Sequence, residues 1–203
     1  MLALAPGPAP PATQPTSFTR RWASSRPAPW GALGRPGRTL AIDEPYQHYQ
    51  FAGRADVLAW DRENLLHIEN RTRFPNLQEA AGSYNAKRQY LADSVADNAG
   101  IGPRGWRSMT HVMACLWSSE VLHEIRLRRA SFAALCPDPP DALLAWLRRE
   151  PPIAGITSTL VALDPLVPFG SRRRTMAAID EPPRLDSRHR GYGDAAEALR
   201  HAR

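Results

Sequence analysis

The chain has 203 residues, 43% hydrophobic and 23% charged, which suits one globular domain with tails. No run approaches the roughly 18 apolar residues of a helical membrane span. The two cysteines, Cys115 and Cys136, exclude a disulfide framework and a cysteine-rich zinc module, so a reducing, cytoplasmic setting is expected. The net charge of +6 arises mostly in the first 42 residues, where five arginines precede the first acid, Asp43; the other 21 basic and 20 acidic residues nearly balance. Charge alone therefore argues little for nucleic acid binding.

Residues 1–38 hold eight prolines among Ala, Gly, Ser and Thr. Such density opposes helices and ladders, and the segment reads as a disordered extension or a start placed too far upstream. The domain is expected over 39–168, with an Arg-rich tail over 169–203. Residues 46–51 alternate and read as a strand, with a turn at Ala52-Gly53. Residues 54–60 and 65–73 read as two further strands joined by the polar loop Asp61-Arg62-Glu63-Asn64. Asn76 then caps a helix running from Leu77 to about Ala99 and stopping at Gly100. Residues 110–117 form an apolar run expected to be a strand covered on both faces. Helices over 119–129 and 141–149 and a strand over 156–163 complete the order β-β-β-α-β-α-α-β. This is an α/β class with a three-stranded meander, a crossover helix and further strands in one mixed sheet.

Placing residues 61–64 in the hairpin loop pairs Trp60 with Leu65, Leu58 with His67, Asp56 with Glu69 and Arg54 with Arg71. Arg54, Asp56, His67, Glu69 and Arg71 then share one strand face, while Val57, Ala59, Leu66 and Ile68 share the other and pack inward. Two opposed carboxylates need compensation. A divalent cation held by Asp56, Glu69 and the backbone carbonyl of Asn70 would supply it. So would a salt-bridge ladder, with Asp56 diagonal to Arg71 and Glu69 diagonal to Arg54. On the helix, Arg88 falls in the middle of the apolar stripe Leu77, Ala80, Ala81, Tyr84, Leu91 and Val95, where it either reaches Glu69 or snorkels to the edge. Lys87, the single lysine of the chain, falls at the stripe's edge. His67 reads as a third metal ligand or a hydrogen-bonding neighbour of Glu69. His111 and His123 have no partner at ligand spacing, and Cys115 reads as core.

Gly53-x-x-Asp56, then Glu69-x-Arg71 at the end of an apolar strand followed by a helix, resembles the PD-(D/E)XK nuclease superfamily. More narrowly, residues 44–91 resemble a domain of bacterial helix-turn-helix transcriptional regulators, with Ile68-Glu69-Asn70-Arg71-Thr72 as the signature strand. The resemblance implies a restriction-endonuclease-like sheet, incomplete at its N-terminus because residues 1–38 supply no opening helix. It implies Mg²⁺ or Mn²⁺ on Asp56 and Glu69, and DNA as partner. Arg71 stands where the superfamily has lysine; a guanidinium stays protonated and cannot act as a base, though it can hold a phosphate. The superfamily lysine can move to another element, and Lys87 is the candidate. The implied functions are a DNA-associated regulator with a weakened nuclease-like domain, or a cation-dependent DNA nuclease using Asp56, Glu69, Arg71 and Lys87. Outside the resemblance stands a non-enzymatic interaction domain that self-associates or binds a protein.

Overall fold

The computed structural model describes residues 29–48, 51–101, 105–167, 176–178 and 186–201. After a 3-10 turn at Pro29–Leu33 come strands β1 (Thr39–His48), β2 (Phe51–Trp60) and β3 (Asn64–Arg71), then helix α1 (Leu77–Ala99) and strand β4 (Ser108–Leu116). Helices α2 (Ser119–Leu127), α3 (Arg129–Leu135) and α4 (Asp141–Arg148) lead to β5 (Gly155–Leu163), followed by β6 (Met176–Ala178) and α5 (Tyr192–His201). The strands lie in chain order in one mixed α/β sheet: β1, β2 and β3 antiparallel, β3, β4 and β5 parallel, and the short β6 antiparallel on the far edge.

The meander forms where the expected loop folds back. Asp61 Oδ1 accepts hydrogen bonds from the backbone N–H groups of Glu63 and Asn64 at 2.9 and 2.8 Å, fixing the turn. That sets the expected register, Trp60 opposite Leu65 and Leu58 opposite His67. β1, however, starts at Thr39, and Ala52 and Gly53 lie inside β2 opposite Gln47 and Tyr46 rather than in a turn. Gly53 is there for close approach: a Cβ would stand 2.8 Å from Cε1 of Tyr46.

Helix α1 follows its expected bounds. Asn76 Oδ1 accepts the N–H of Glu79 at 3.2 Å, and Gly100 ends the helix in the left-handed region at φ 66°. The helix carries the chain from β3 to the parallel β4, packing Leu91, Ala92 and Val95 against Leu58 and Leu65. The other sheet face is covered partly by α4, where the Trp146 indole donates to Thr110 Oγ1 at 3.2 Å. Val57, Ala59, Leu66 and Ile68 are fully buried, as are Leu58, Leu65 and His67 on the opposite face, so the central strands are covered on both sides.

Both segments expected to be tails contribute to the fold. Trp30 and Leu33 are fully buried in the main core; averaging composition over 38 residues masked the apolar residues next to β1. Residues 1–28 lie outside the described residues. At the other end, His189 pairs with Asp164 at 3.2 Å, Trp117 Nε1 donates to the Asp186 carbonyl at 2.8 Å, and Ala195 of α5 is buried. Among the described residues no helix is long and apolar enough to cross a membrane.

Candidate functional site

Three elements meet at the end of β3. β2 supplies Asp56 from a local break in the sheet: the β1–β2 ladder passes from Ile42–Val57 to Glu44–Ala55, and the β2–β3 ladder stops at Val57–Ile68. Across from Asp56 on β1, Asp43 adopts φ 56°, a conformation Asp tolerates better than most residues. Released from both ladders, Asp56 does not face Glu69 as a strict cross-strand pair. Its Oδ2 instead accepts the backbone N–H of Asn70 at 2.7 Å, which ties β2 to the end of β3.

Glu69, 3% exposed, is the centre of the cluster. Lys87 Nζ of α1 donates to both of its oxygens at 2.6 Å. Arg71 Nη2 lies 3.1 Å from Oε1, and His67 Nε2 lies 3.4 Å from Oε2. Lys87 is itself buried, on a helix face formed by Ala80, Tyr84, Lys87, Leu91 and Ser94. The stripe's centre is rotated toward Lys87 from where Leu77 and Ala81, only partly buried at the first turns, would place it.

That rotation exchanges the expected places of the two neighbours. Arg88 does not reach Glu69: its Nη1 donates to the Leu135 carbonyl at 3.2 Å, and its guanidinium lies 5.9 Å from the Tyr84 ring centre. Arg54 is also outside the cluster, with Nε 2.7 Å from Asp43 Oδ1 on the exposed side of the hairpin, so the expected Glu69–Arg54 diagonal does not form. The kink at Asp43 brings that carboxylate to Arg54. Within the residues predicted to share a face, Asp56, His67, Glu69 and Arg71 stay together.

The electrostatics separate the two acids. Burial, with the nearby Glu69 charge adding to it, pushes the Asp56 carboxyl up to about 7; Lys87, the Asn70 N–H and Arg71 only partly offset this. Burial also acts to raise Glu69, but Lys87, Arg71 and His67 outweigh it and hold Glu69 well below the usual carboxylate range. One carboxyl is thus kept ionised while its neighbour titrates near neutrality, a separation typical of chemically active clusters. Burial lowers the pKa of His67, and burial with the neighbouring His67 and Arg88 lowers that of His111 further, so the site disfavours the charged form of both imidazoles.

Asp56, Glu69 and the Asn70 carbonyl are the oxygen donors of the kind a hard divalent cation takes, and such an ion would oppose the burial and the Glu69 charge that raise the Asp56 carboxyl. These three groups would hold such an ion. The four short contacts to the Glu69 oxygens mean that the ion would share Glu69 with Lys87 and Arg71 or displace one of them. Among the described residues, no group of three or more His, Cys, Asp or Glu is placed to hold a metal. Burial, with the Glu69 charge adding to it, raises the Tyr46 hydroxyl, and Tyr46 lines an open groove of about 520 Å³ with Gly53, Arg54 and Ser94.

His111 was not expected here. The parallel register of β3 and β4 sets it opposite His67, with the two Nδ1 atoms 3.3 Å apart. No spacing within the chain shows this, because the offset across a crossover helix follows from packing. The chain matches no family model, no curated protein and no solved structure.

Proposed function

We propose that this chain hydrolyses phosphodiester bonds in DNA at Asp56, Glu69 and Lys87, with Mg²⁺ or Mn²⁺ as cofactor, on a PD-(D/E)XK-like framework. The observation that carries this reading is Lys87 Nζ at 2.6 Å from both Glu69 oxygens. It supplies, from α1, the lysine whose signature position on β3 is filled by Arg71. The meander, crossover helix and parallel strands support the same framework.

In this reading Asp56 and Glu69 would hold a divalent cation, which when bound would supply Lewis-acid polarisation of the phosphodiester and the attacking water. Lys87, held against Glu69, orients the water and meets negative charge as it develops on the phosphoryl oxygens. Arg71 grips a non-bridging oxygen, a task suited to a planar, permanently charged group. The test is cleavage of supercoiled plasmid and single-stranded DNA by the full chain with Mn²⁺, Mg²⁺ or EDTA. Cation-dependent nicking lost in Asp56→Ala, Glu69→Ala and Lys87→Ala is expected; cleavage that persists in the variants, or none from a folded sample, refutes the assignment.

A second reading, a DNA-associated regulator with a weakened nuclease-like domain, is favoured by one observation: both Glu69 oxygens already accept from Lys87 at 2.6 Å, with Arg71 Nη2 3.1 Å from Oε1. It predicts DNA affinity that falls steeply with salt, with or without cation, and no cleavage.

A further inference from the structure

Beneath the cluster lies a pair of buried histidines that the hydrolytic scheme does not use. His67 and His111 are 0% and 1% exposed, their Nδ1 atoms 3.3 Å apart, with Tyr84 stacked on His67 at 6.0 Å between ring centres. An Nδ1–Nδ1 contact at hydrogen-bond distance requires a proton on one of those atoms and a lone pair on the other. If His67 provides it, His67 Nε2 turns a lone pair toward Glu69 Oε2 at 3.4 Å, and His111 Nε2 becomes a buried N–H donor with no partner. Both consequences are unfavourable, since orphaned buried donors are rare. If His111 provides it, His67 Nε2–H lies 3.4 Å from the carboxylate, a favourable charge contact without hydrogen-bond alignment, and the unpartnered His111 Nε2 is only an acceptor. The second arrangement is the better of the two, because it sets an N–H rather than a lone pair 3.4 Å from the carboxylate, although neither Nε2 makes an aligned hydrogen bond.

We propose that His111 and His67 are positioning residues for Glu69: His111 Nδ1–H donates to His67 Nδ1, and this leaves the proton of His67 on Nε2, 3.4 Å from Glu69 Oε2, as an electropositive neighbour of the carboxylate. The relay fixes the imidazole tautomers and keeps an N–H, not a lone pair, beside one carboxylate oxygen while Lys87 and Arg71 contact Glu69. Its geometry stands apart from the hydrolytic reading; its role in cation uptake rests on that reading. Outer partners of a ligating carboxylate or imidazole commonly change metal affinity by about 10–100-fold.

The test has two readouts on the full chain. Long-range ¹H–¹⁵N correlation spectra near pH 7 should show His67 protonated at Nε2 and His111 at Nδ1; His67 protonated at Nδ1 overturns the relay. Calorimetric Mn²⁺ titration should show roughly 10-fold or greater weakening in His67→Leu. His67→Gln, whose amide can both donate to Glu69 and accept from His111, should retain most of the affinity. Equal Mn²⁺ affinity in the wild type and His67→Leu overturns the positioning role. Predicted tautomers in a chain that takes up no Mn²⁺ remove the cation reading but support the relay as a brace of the Glu69–Lys87 pair.

Discussion

A lysine buried against a glutamate is not in itself a stabilising choice, because desolvating both charges offsets much of their attraction. Breaking such a pair is costly. Lys87→Met should lower the unfolding free energy by about 3–5 kcal/mol, since Glu69 stays buried with less compensation; loss below about 1 kcal/mol in denaturant titration would contradict the burial described. Asp56 works in the opposite sense. Its carboxyl, ordinarily near 3.8, is raised to about 7, so the folded chain binds its proton more tightly than the unfolded chain. The stability this contributes is complete below about pH 4 and is lost as pH rises through about 7. Glu69, held low, contributes stability above the ordinary carboxylate range and loses it in acid. In EDTA, Asp56→Asn should therefore melt higher than the wild type at pH 8, with the advantage shrinking toward pH 5. The upper limit is on the order of 4 kcal/mol. An identical pH profile in both proteins would show that Asp56 is not perturbed.

At the scale of elements, the hairpin and α1 carry the site, and both were partly legible. The pairing of Leu58 with His67 followed from loop placement and alternation, because a two-residue period leaves only two faces to choose between. The cap at Asn76 and the stop at Gly100 followed from turn chemistry. The break at Asp56 did not, because it depends on the positive φ of Asp43, which no pattern of polarity encodes. Nor did the choice between Lys87 and Arg88: a rotation of less than half a turn decides which of two adjacent side chains is buried, and sheet packing sets it. Gly53→Ala should test the close approach of Tyr46 over β2. The 2.8 Å contact forces the Tyr46 ring to shift, and a destabilisation of roughly 1–3 kcal/mol is expected in thermal unfolding. Unchanged stability would mean that the ring is free to move away.

For the whole molecule, the framework extends past the boundaries that composition suggests. Trp30 and Leu33 belong to the main core, and Trp30→Ala should cost about 3–5 kcal/mol, as for other fully buried aromatic residues. A loss under 1 kcal/mol by chemical denaturation would detach residues 29–38 from the domain. Proline density was a poor guide to burial at residues 29–33, because one tryptophan and one leucine beside an edge strand suffice to anchor a segment. The same reasoning applies to residues 186–201, where the His189–Asp164 pair and Ala195 offset a polar, arginine-rich composition.

The central claim, that Asp56 and Glu69 form a cation site served by Lys87, is tested most directly by melting the full chain with Mg²⁺, Mn²⁺ or EDTA. An ion that binds the folded state alone stabilises it by RT ln(1 + [L]/Kd). The wild type should melt higher in either cation than in EDTA, and the increment should vanish in Asp56→Asn and Glu69→Gln. A wild type indifferent to both cations, or an increment that survives in both variants, would contradict the claim and leave the cluster as a buried ion-pair network.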